Sequence, residues 1–243
     1  MKYSSIVLGC VVAASAFAAR NVEEFKTTKG PLKITTVMHA GLVIEVGGRG
    51  QDYHGVMIVD PAQGSWDGIP QADVILITDI HGDHMNPSMI AKVKKSDGIV
   101  IAPAAVAKTV TEAQVLGNGE AKTLGAWKIE AIPMYNLKRG PSEGKLYHDK
   151  GRGNGYIVTY GGLRIYIAGD TEGIPEMRAL KNIDVAFVPM NLPYTMTPEE
   201  AADAVKAFHP KVVYPYHYMG SDTKAFEAAL AGSGIDVRLR NWY

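Results

Sequence analysis

Cysteine is almost absent from this sequence, because Cys10 is the only one among its 243 residues. Cys10 lies in a short apolar stretch at the amino terminus that has the features of a cleaved export signal. Once that stretch is removed, the chain can form neither a disulfide nor a thiolate metal site. Metal ligands in the mature chain would have to be histidine and carboxylate side chains.

Net charge is also absent, since 25 lysine and arginine residues balance 25 aspartate and glutamate residues. This balance gives no overall attraction to nucleic acid, and no nucleic-acid partner is expected. Beyond the amino terminus, no apolar run is long enough to cross a membrane. No linker or internal repeat divides the chain, so residues 19–243 are predicted to form a single domain.

The amino terminus predicts export from the cell. Lys2 supplies the positive start, residues 6–17 are apolar, and Ala16-Phe17-Ala18 is a small-x-small cleavage site. Residues 1–18 are therefore predicted to be a signal peptide, which makes the mature protein secreted or periplasmic. An alternative is lipoprotein processing at Cys10, although few apolar residues would then precede the cleavage point.

The most informative stretch is Thr78-Asp79-Ile80-His81-Gly82-Asp83-His84, in which four side chains that can bind a metal fall within six residues. The apolar run Val74–Ile77 precedes it and predicts a buried strand. Pro87 follows it and suits the first position of a helix. The four side chains therefore belong to a loop that leaves the carboxyl end of a strand. Imidazole and carboxylate groups in such a loop suit zinc and related metals.

Strand and helix patterns alternate along the rest of the chain. Gly161-Gly162 predicts a two-residue hairpin turn, and Thr197-Pro198-Glu199-Glu200 predicts a capped helix start. The remaining predicted strands are Leu32–Met38, Leu42–Val46, Val56–Val59, Ile99–Ile101, Trp127–Ile132, Tyr156–Tyr160, Leu163–Ala168, Asp184–Val188, Lys211–Val213 and Val237–Leu239. The predicted helices are Pro87–Lys94, Ala104–Gln114, Pro198–Phe208 and Asp222–Leu230. This order predicts sheets with helices packed outside them.

Residues 137–154 predict a long loop that is rich in glycine and basic side chains. Loops of this length are commonly functional or mobile. Two interpretations stay open, namely a solvated surface loop or a lid that attracts an anionic substrate. The basic residues are Lys138, Arg139, Lys145, Lys150 and Arg152.

Seven candidate metal ligands lie in loops, most of them directly after a predicted strand. Loops that follow strands converge on one edge of a layered domain, where ligand sites form. The seven are Asp79, His81, Asp83, His84, His148, Asp170 and His217.

In their order along the chain, these residues resemble the motifs of the metallo-β-lactamase superfamily. The likeness is to the branch that includes ascorbate-6-phosphate lactonase and N-acyl-phosphatidylethanolamine phospholipase D. The family pattern is His-x-His-x-Asp-His, a distant His, Gly-Asp-Thr and a late His. The corresponding residues here are Asp79-x-His81-x-Asp83-His84, His148, Gly169-Asp170-Thr171 and His217. His39-Ala40 and Asp60-Pro61 also match that branch.

The resemblance implies an α+β fold, the four-layer αββα sandwich of this superfamily, with two metal ions at the site. The ions would be zinc, with manganese or iron as alternatives. By analogy, the first ion would be bound by Asp79, His81 and His148 and the second by Asp83, His84 and His217, with Asp170 bridging them. Asp83 would also orient the attacking hydroxide and act as the catalytic residue.

Asp79 departs from the family pattern, which has histidine at this position. A carboxylate is a harder ligand than an imidazole. It could bind the first ion with a changed metal preference, or it could turn away and leave the first site weak.

The expected function is hydrolysis of a lactone or other ester in a small-molecule substrate by a metal-bound hydroxide. One alternative is a phosphodiesterase at the same site, and another is a metal-binding or ligand-binding protein without turnover. His39 is expected either to support the site or to be a buried structural histidine. Packing roles are expected for Tyr135, Asn136, Asn191 and Tyr194, which could also line the pocket, while His54 and His209 are expected to lie outside the site.

Overall fold

The computed structural model describes residues 20–47 and 55–243. The predicted signal peptide, Cys10 and His54 lie outside the described residues. None of the helices in these two ranges has the length and apolar character needed to cross a membrane.

The first half of the chain forms a seven-stranded sheet whose strands follow one another in sequence order. Its elements are the strands β1 (Val22–Thr27), β2 (Gly30–Thr36), β3 (Leu42–Val46), β4 (Val56–Val59), β5 (Ala72–Leu76), β6 (Lys94–Ala102) and β7 (Gln114–Val115), and the helices α1 (Pro87–Val93) and α2 (Ala104–Ala107). Neighbouring strands are antiparallel from β1 to β4 and parallel from β4 to β7. A meander is thus followed by strand–helix units, as the sequence predicts.

The second half repeats this scheme in a second seven-stranded sheet. Its elements are β8 (Ala121–Leu124), β9 (Trp127–Met134), β10 (Gly153–Tyr160), β11 (Leu163–Ile167), β12 (Val185–Pro189), β13 (Val212–Tyr216) and β14 (Asp236–Val237), with α3 (Pro175–Arg178), α4 (Pro198–Phe208) and α5 (Thr223–Ala229). Neighbouring strands are antiparallel from β8 to β11 and parallel from β11 to β14.

Three apolar clusters separate four layers. In β5, Val74 and Leu76 belong to the cluster between the two sheets, whereas Ile75 belongs to the cluster that includes Ile90 of α1. A third cluster joins the outer face of the second sheet to α3, α4 and α5. Because β5 is buried on both faces, its residues Val74–Leu76 and the following Ile77 form an unbroken apolar run. The predicted αββα sandwich is confirmed.

Two local predictions are confirmed in detail. Thr197 accepts a hydrogen bond from the backbone nitrogen of Glu200 at 3.1 Å, and the Glu200 carboxylate accepts one from the backbone nitrogen of Thr197 at 2.9 Å. This is the capping box that starts α4 at Pro198. Gly161 and Gly162 both have positive φ, as a tight hairpin turn between β10 and β11 requires.

The predicted helix Ala104–Gln114 is wrong beyond its first turn. Helix α2 ends at Ala107, and Gln114–Val115 instead form β7 beside the end of β6. The β-branched residues Thr109, Val110 and Thr111 disfavour a helix, and the chain must return to pair with β6. The short elements β1, β8 and α3 were not predicted from the sequence, and β13 extends beyond the predicted Val213 to Tyr216.

The carboxyl ends of the central strands meet at one edge of the sandwich. Asp60 directly follows β4, the loop of residues 77–86 follows β5, Asp170 lies just past β11, and His217 directly follows β13. Parallel strands direct the loops at their carboxyl ends to the same side, which is where sites form in such sheets. The fold therefore places the candidate ligands of both halves at a common edge.

Candidate metal centre

The loop between β5 and α1 carries four of the candidate ligands. Helix α1 begins at Pro87 after Asn86, whose side chain caps the helix by accepting two backbone hydrogen bonds. A buried strand before the loop and a capped helix after it hold the loop in place. Within the loop, Asp79 and His84 are fully buried, while about half of the His81 side chain is exposed.

The other three candidate ligands reach the same place from distant parts of the chain. His148 comes from the long loop before β10, Asp170 from the segment after β11, and His217 from the end of β13. All seven predicted ligands therefore come together. We call Asp79, His81 and His148 the first cluster, and Asp83, His84, Asp170 and His217 the second cluster.

The second cluster has the spacing of a metal shell. Nε2 of His84 lies 3.2 Å from Nε2 of His217, 3.4 Å from Oδ2 of Asp170 and 3.8 Å from Oδ2 of Asp83. Nε2 of His217 lies 3.3 Å from both Asp83 and Asp170. Ligands bound at about 2.0–2.1 Å in a tetrahedron stand about 3.3–3.4 Å apart. His84, Asp170 and His217 therefore offer three donors close enough to hold one metal ion, and Asp83 lies beside them next to His217.

His84 is oriented toward this point by partners behind it. Its Nδ1 lies 2.8 Å from Oδ2 of Asp60, whose carboxylate also accepts hydrogen bonds from the backbone nitrogen and hydroxyl of Thr78. Nδ1 therefore donates, and the Nε2 lone pair faces the cluster. Burial lowers the pKa of His84, but the carboxylates of Asp170 and Asp60 outweigh burial and hold the pKa well above its ordinary value. The same negative field would stabilise a bound cation.

His148 is oriented in the same manner by Asn136. Asn136 donates its amide to the backbone oxygen of Tyr194 at 2.8 Å, so its Oδ1 accepts a hydrogen bond from Nδ1 of His148 at 2.7 Å. The Nε2 atom of His148 and the Oδ1 atom of Asp170 are buried without a hydrogen-bond partner in the described structure. Buried polar atoms are rarely left unpaired, and a metal ligand is one role that explains them.

His39 belongs to the site, which settles one of the open alternatives. Its Nε2 lies 2.9 Å from Oδ2 of Asp83, its Nδ1 lies 2.7 Å from the hydroxyl of Tyr243, and its ring lies 3.6 Å from that of His217. Burial raises the pKa of Asp83, but hydrogen bonds from His217 and His39 outweigh it and hold the pKa far below the usual range. Tyr243 had no signal in the sequence, because only the fold brings it to His39.

Asp79, the residue that departs from the family pattern, is engaged by a cation. Its two oxygens lie 3.2 and 3.0 Å from Nε and Nη2 of Arg152, and its Oδ2 also lies 2.8 Å from Nδ1 of His81. Burial raises the pKa of Asp79, but the hydrogen bond from His81 and the charges of His84 and Arg152 lower it to about 2. The first cluster therefore fits a metal ion less well than the second, since its carboxylate already has a positive partner.

A cavity of about 620 Å³ opens onto both clusters. Its rim includes Leu192, Tyr194 and Met219, which are about half exposed. No lysine or arginine is among the described residues that line it. Its lining consists of His39, Gln63, His81, Asp83, Tyr147, His148, Asp170, Asn191, Leu192, Pro193, Tyr194, His217 and Met219.

The loop of residues 137–154 contributes Tyr147 and His148 to this cavity, but its basic side chains do not line it. Four of the five basic side chains in the loop each contact a carboxylate. The pairs are Lys138 with Glu200, Arg139 with Glu172 and Glu200, Lys150 with Glu176, and Arg152 with Asp79. Attraction of an anionic substrate by this loop stays a prediction.

The five secondary predictions that fall on described residues have mixed outcomes. Asn191 and Tyr194 line the cavity, whereas the Tyr135 hydroxyl donates to Glu176 at 2.9 Å. Asn136 was expected to have a packing role, but it orients His148. His209 lies at the carboxyl end of α4, away from the site, where its Nε2 contacts the backbone oxygen of Ser233.

Comparisons with known proteins agree with the fold. The model of a β-lactamase superfamily domain matches residues 33–217. A UPF0173 metal-dependent hydrolase from Thermus thermophilus is 32% identical over 184 residues, which cover 70% of this chain and 78% of the relative. The crystal structure of a proposed metal-dependent hydrolase from Parabacteroides distasonis is 44% identical, with a TM-score of 0.84, over 91% of this chain and 99% of that one. A metallo hydrolase from Ignicoccus hospitalis, at 22% identity and a TM-score of 0.69, shares the fold.

Two facing mixed sheets with an edge cluster of histidine and aspartate define a protein of the metallo-β-lactamase fold. The chain belongs to the β-lactamase superfamily domain family, together with the UPF0173 metal-dependent hydrolases. The superfamily assigned from the sequence is therefore confirmed. These matches do not single out the branch of ascorbate-6-phosphate lactonase and N-acyl-phosphatidylethanolamine phospholipase D.

Proposed function

We propose that the protein is a metal-dependent hydrolase that cleaves a lactone or other ester in an uncharged small molecule. The observation that carries the proposal is the close spacing of the donor atoms of His84, Asp170 and His217, which lie 3.2–3.4 Å apart, with Asp83 at 3.3 Å from His217. Nitrogen and carboxylate donors of this kind suit zinc, with manganese or iron as alternatives. A divalent ion bound there would lower the pKa of a coordinated water and polarise the carbonyl of the substrate.

Asp83 is the carboxylate best placed to orient a water at the site. Its side chain is 30% exposed, against 4% for Asp170 and 0% for Asp79. His39 donates to Oδ2 of Asp83 and so fixes the direction of the carboxylate. Because its pKa is held far below the usual range, Asp83 stays ionised, and it is assigned the role of orienting the attacking water by accepting a hydrogen bond from it.

The residues that line the cavity favour a substrate without a phosphate group. Phosphate is usually bound by arginine, lysine or clustered backbone nitrogens, and no lysine or arginine lines the described cavity. The exposed side chains of Leu192, Tyr194 and Met219 offer apolar surface at the rim instead. An ester or lactone with an apolar portion suits this surface better than a phosphodiester does.

The test compares metal-stripped and zinc-reloaded protein on lactone, aryl ester and phosphodiester substrates. We expect the reloaded protein alone to hydrolyse a lactone or ester. His84→Ala should lose both the metal and the activity, whereas His209→Ala, which removes a histidine away from the site, should retain both. Turnover of phosphodiesters alone would overturn the ester assignment. Metal retention without turnover of any substrate would favour a binding protein.

We also propose that the protein is exported after cleavage of residues 1–18. The support is the Lys2 start, the apolar run 6–17 and the Ala16-Phe17-Ala18 site. Amino-terminal sequencing of protein expressed from the full chain should find Ala19 or Arg20 first. A lipid-modified terminus at Cys10, or an intact Met1, would overturn this proposal.

A further inference from the structure

Asp79 and Arg152 form the closest ion pair between a candidate metal ligand and a permanent cation in the described structure. The guanidinium contacts the carboxylate with two nitrogens, one on each oxygen, at 3.2 and 3.0 Å. Paired contacts of this kind are the strong and geometrically specific form of the arginine–carboxylate interaction. Asp79 is fully buried and the side chain of Arg152 is 18% exposed, so solvent screens the pair only weakly.

The pair changes the electrostatics of the first cluster. A neutral histidine in the family pattern is replaced here by a negative carboxylate, and Arg152 adds the compensating positive charge. Oδ2 of Asp79 receives contacts from Arg152 at 3.0 Å and from His81 at 2.8 Å. A metal ion that binds this oxygen must therefore displace those contacts or accept a cation as its neighbour.

The second cluster has no lysine or arginine partner among the described residues. His84 is held through its Nδ1 by Asp60, which leaves Nε2 to the cluster, and Oδ2 of Asp83 is contacted at 2.9 Å by His39, an imidazole whose pKa is lowered by burial and which carries no permanent charge. We therefore expect the two clusters to differ in their affinity for a metal ion, although Asp170 contacts residues of both.

We propose that the Asp79–Arg152 ion pair takes the place of one of the two metal ions expected for this superfamily, so that the chain binds one ion tightly, at the second cluster. This inference rests on the proposed metal dependence of the protein. Arg152 does not line the cavity, so it acts through Asp79 as a positioning residue and not on the substrate.

The test is the metal stoichiometry of the purified protein, measured by plasma mass spectrometry and by calorimetric titration with zinc alone. We expect about one tightly bound equivalent in the wild type, with a second equivalent at least about 100-fold weaker because a cation already pairs with Asp79. Arg152→Gln should bring the second equivalent to within about 10-fold of the first. Arg152→Lys retains the charge and should remain at one equivalent.

Lys150→Gln is the matched control. Lys150 lies in the same loop, two residues from Arg152, but it pairs with Glu176 and not with Asp79. Loss of its charge should leave the stoichiometry at one. If the second equivalent tightened in Lys150→Gln as much as in Arg152→Gln, the general charge of the loop would be responsible and the proposal would be overturned.

Two further outcomes would also overturn it, namely two tight equivalents in the wild type, or one equivalent in a folded Arg152→Gln. Should Arg152→Gln not fold, the double variant Asp79→His/Arg152→Gln decides, because it removes both members of the pair and restores the family ligand. A second tight equivalent there supports the proposal, and a single one overturns it. Absence of metal from every variant would instead reject the proposed metal dependence.

Discussion

Oδ2 of Asp60 lies 2.8 Å from Nδ1 of His84, which joins the end of β4 to the loop after β5. The carboxylate is fully paired, because it also accepts hydrogen bonds from the backbone nitrogen and hydroxyl of Thr78 at 2.8 and 2.6 Å. An acceptor at this position holds the proton of His84 on Nδ1. Nε2 is thereby kept free for a ligand role in the second cluster.

Asp60→Asn should weaken metal binding without removing a ligand. The amide would present its NH₂ group to Nδ1 of His84 or to the Thr78 hydroxyl, and the tautomer with hydrogen on Nε2 would become favoured. We expect zinc affinity to fall about 10- to 100-fold, which is the usual effect of replacing a residue that hydrogen-bonds to a metal-binding histidine. Competitive chelator titration measures this.

Asp73→Asn is the matched control for that titration. Asp73 is also a nearly buried carboxylate, on β5 of the first sheet, and it accepts a hydrogen bond from the backbone nitrogen of Val56 and pairs with Lys95. It contacts no histidine in the described structure, so the zinc affinity of this variant should stay at the wild-type value. An equal loss in both variants would show that general destabilisation, and not the tautomer of His84, is responsible.

Asp83→Asn should separate water orientation from ion binding. The oxygen of the new amide can still contact a metal, but the amide has no negative charge and only one acceptor atom with which to orient the attacking water, so kcat on an ester should fall about 10²-fold. Bound zinc should fall much less than in His84→Ala, because the amide oxygen still offers a donor atom and alanine offers none. Retention of wild-type kcat would reject the assigned role of Asp83.

Local sequence rules were sufficient where neighbours in the chain determine the structure. Thr197, Pro198 and Glu200 specify the start of α4 through contacts within one turn, and the predicted helix Pro198–Phe208 has the observed bounds. The loop of residues 78–84 was likewise predictable, because a buried strand and a capped helix border it. The failure at Ala104–Gln114 has the opposite origin, since pairing with β6 overrides the tendency of alanine to form helices.

Contacts between residues that are distant in the chain could not be predicted from the sequence. Arg152 is 73 residues from Asp79, and Tyr243 is 204 residues from His39. Each contact depends on the path of a loop or terminal segment that periodicity does not describe. The ligands could be identified because a family motif names them, whereas the partners that orient or neutralise them could be identified only from the fold.

Tyr243→Phe should impair turnover while leaving the metal in place. The hydroxyl donates to Nδ1 of His39, whose Nε2 in turn donates to Asp83. One neutral hydrogen bond contributes about 0.5–1.5 kcal/mol, so kcat should fall about 2- to 10-fold. Tyr160→Phe, which removes a hydroxyl far from the site near the backbone of Lys29, is the control and should keep wild-type kcat and zinc content. A loss of zinc in Tyr243→Phe would indicate a structural role instead.

Glu200 should make the anchoring of the basic loop dependent on pH. Its carboxylate pairs with Lys138 at 2.8 Å and with Arg139 at 2.5 Å. Burial raises the pKa of Glu200, but hydrogen bonds from Lys138, the backbone of Thr197 and Arg139 outweigh it and lower the pKa to about 2. The pKa in the folded state thus lies below the value of about 4.3 in an unfolded chain. The stabilisation is therefore fully present above about pH 4.3 and is lost as the pH falls toward 2.

Glu200→Gln removes this pH-dependent contribution. In metal-free protein, the difference in unfolding free energy between wild type and variant should be about 0.5–1 kcal/mol at neutral pH, the upper part of the range for partly exposed pairs. It should shrink between about pH 4.3 and 2, which denaturant titrations at a series of pH values would measure. Glu227→Gln, which breaks an exposed pair with Lys224 on α5, provides the comparison and should change the unfolding free energy at neutral pH by less than Glu200→Gln does. A Glu200→Gln difference that is equally constant down to pH 2 would mean that the carboxylate does not anchor the loop through its charge.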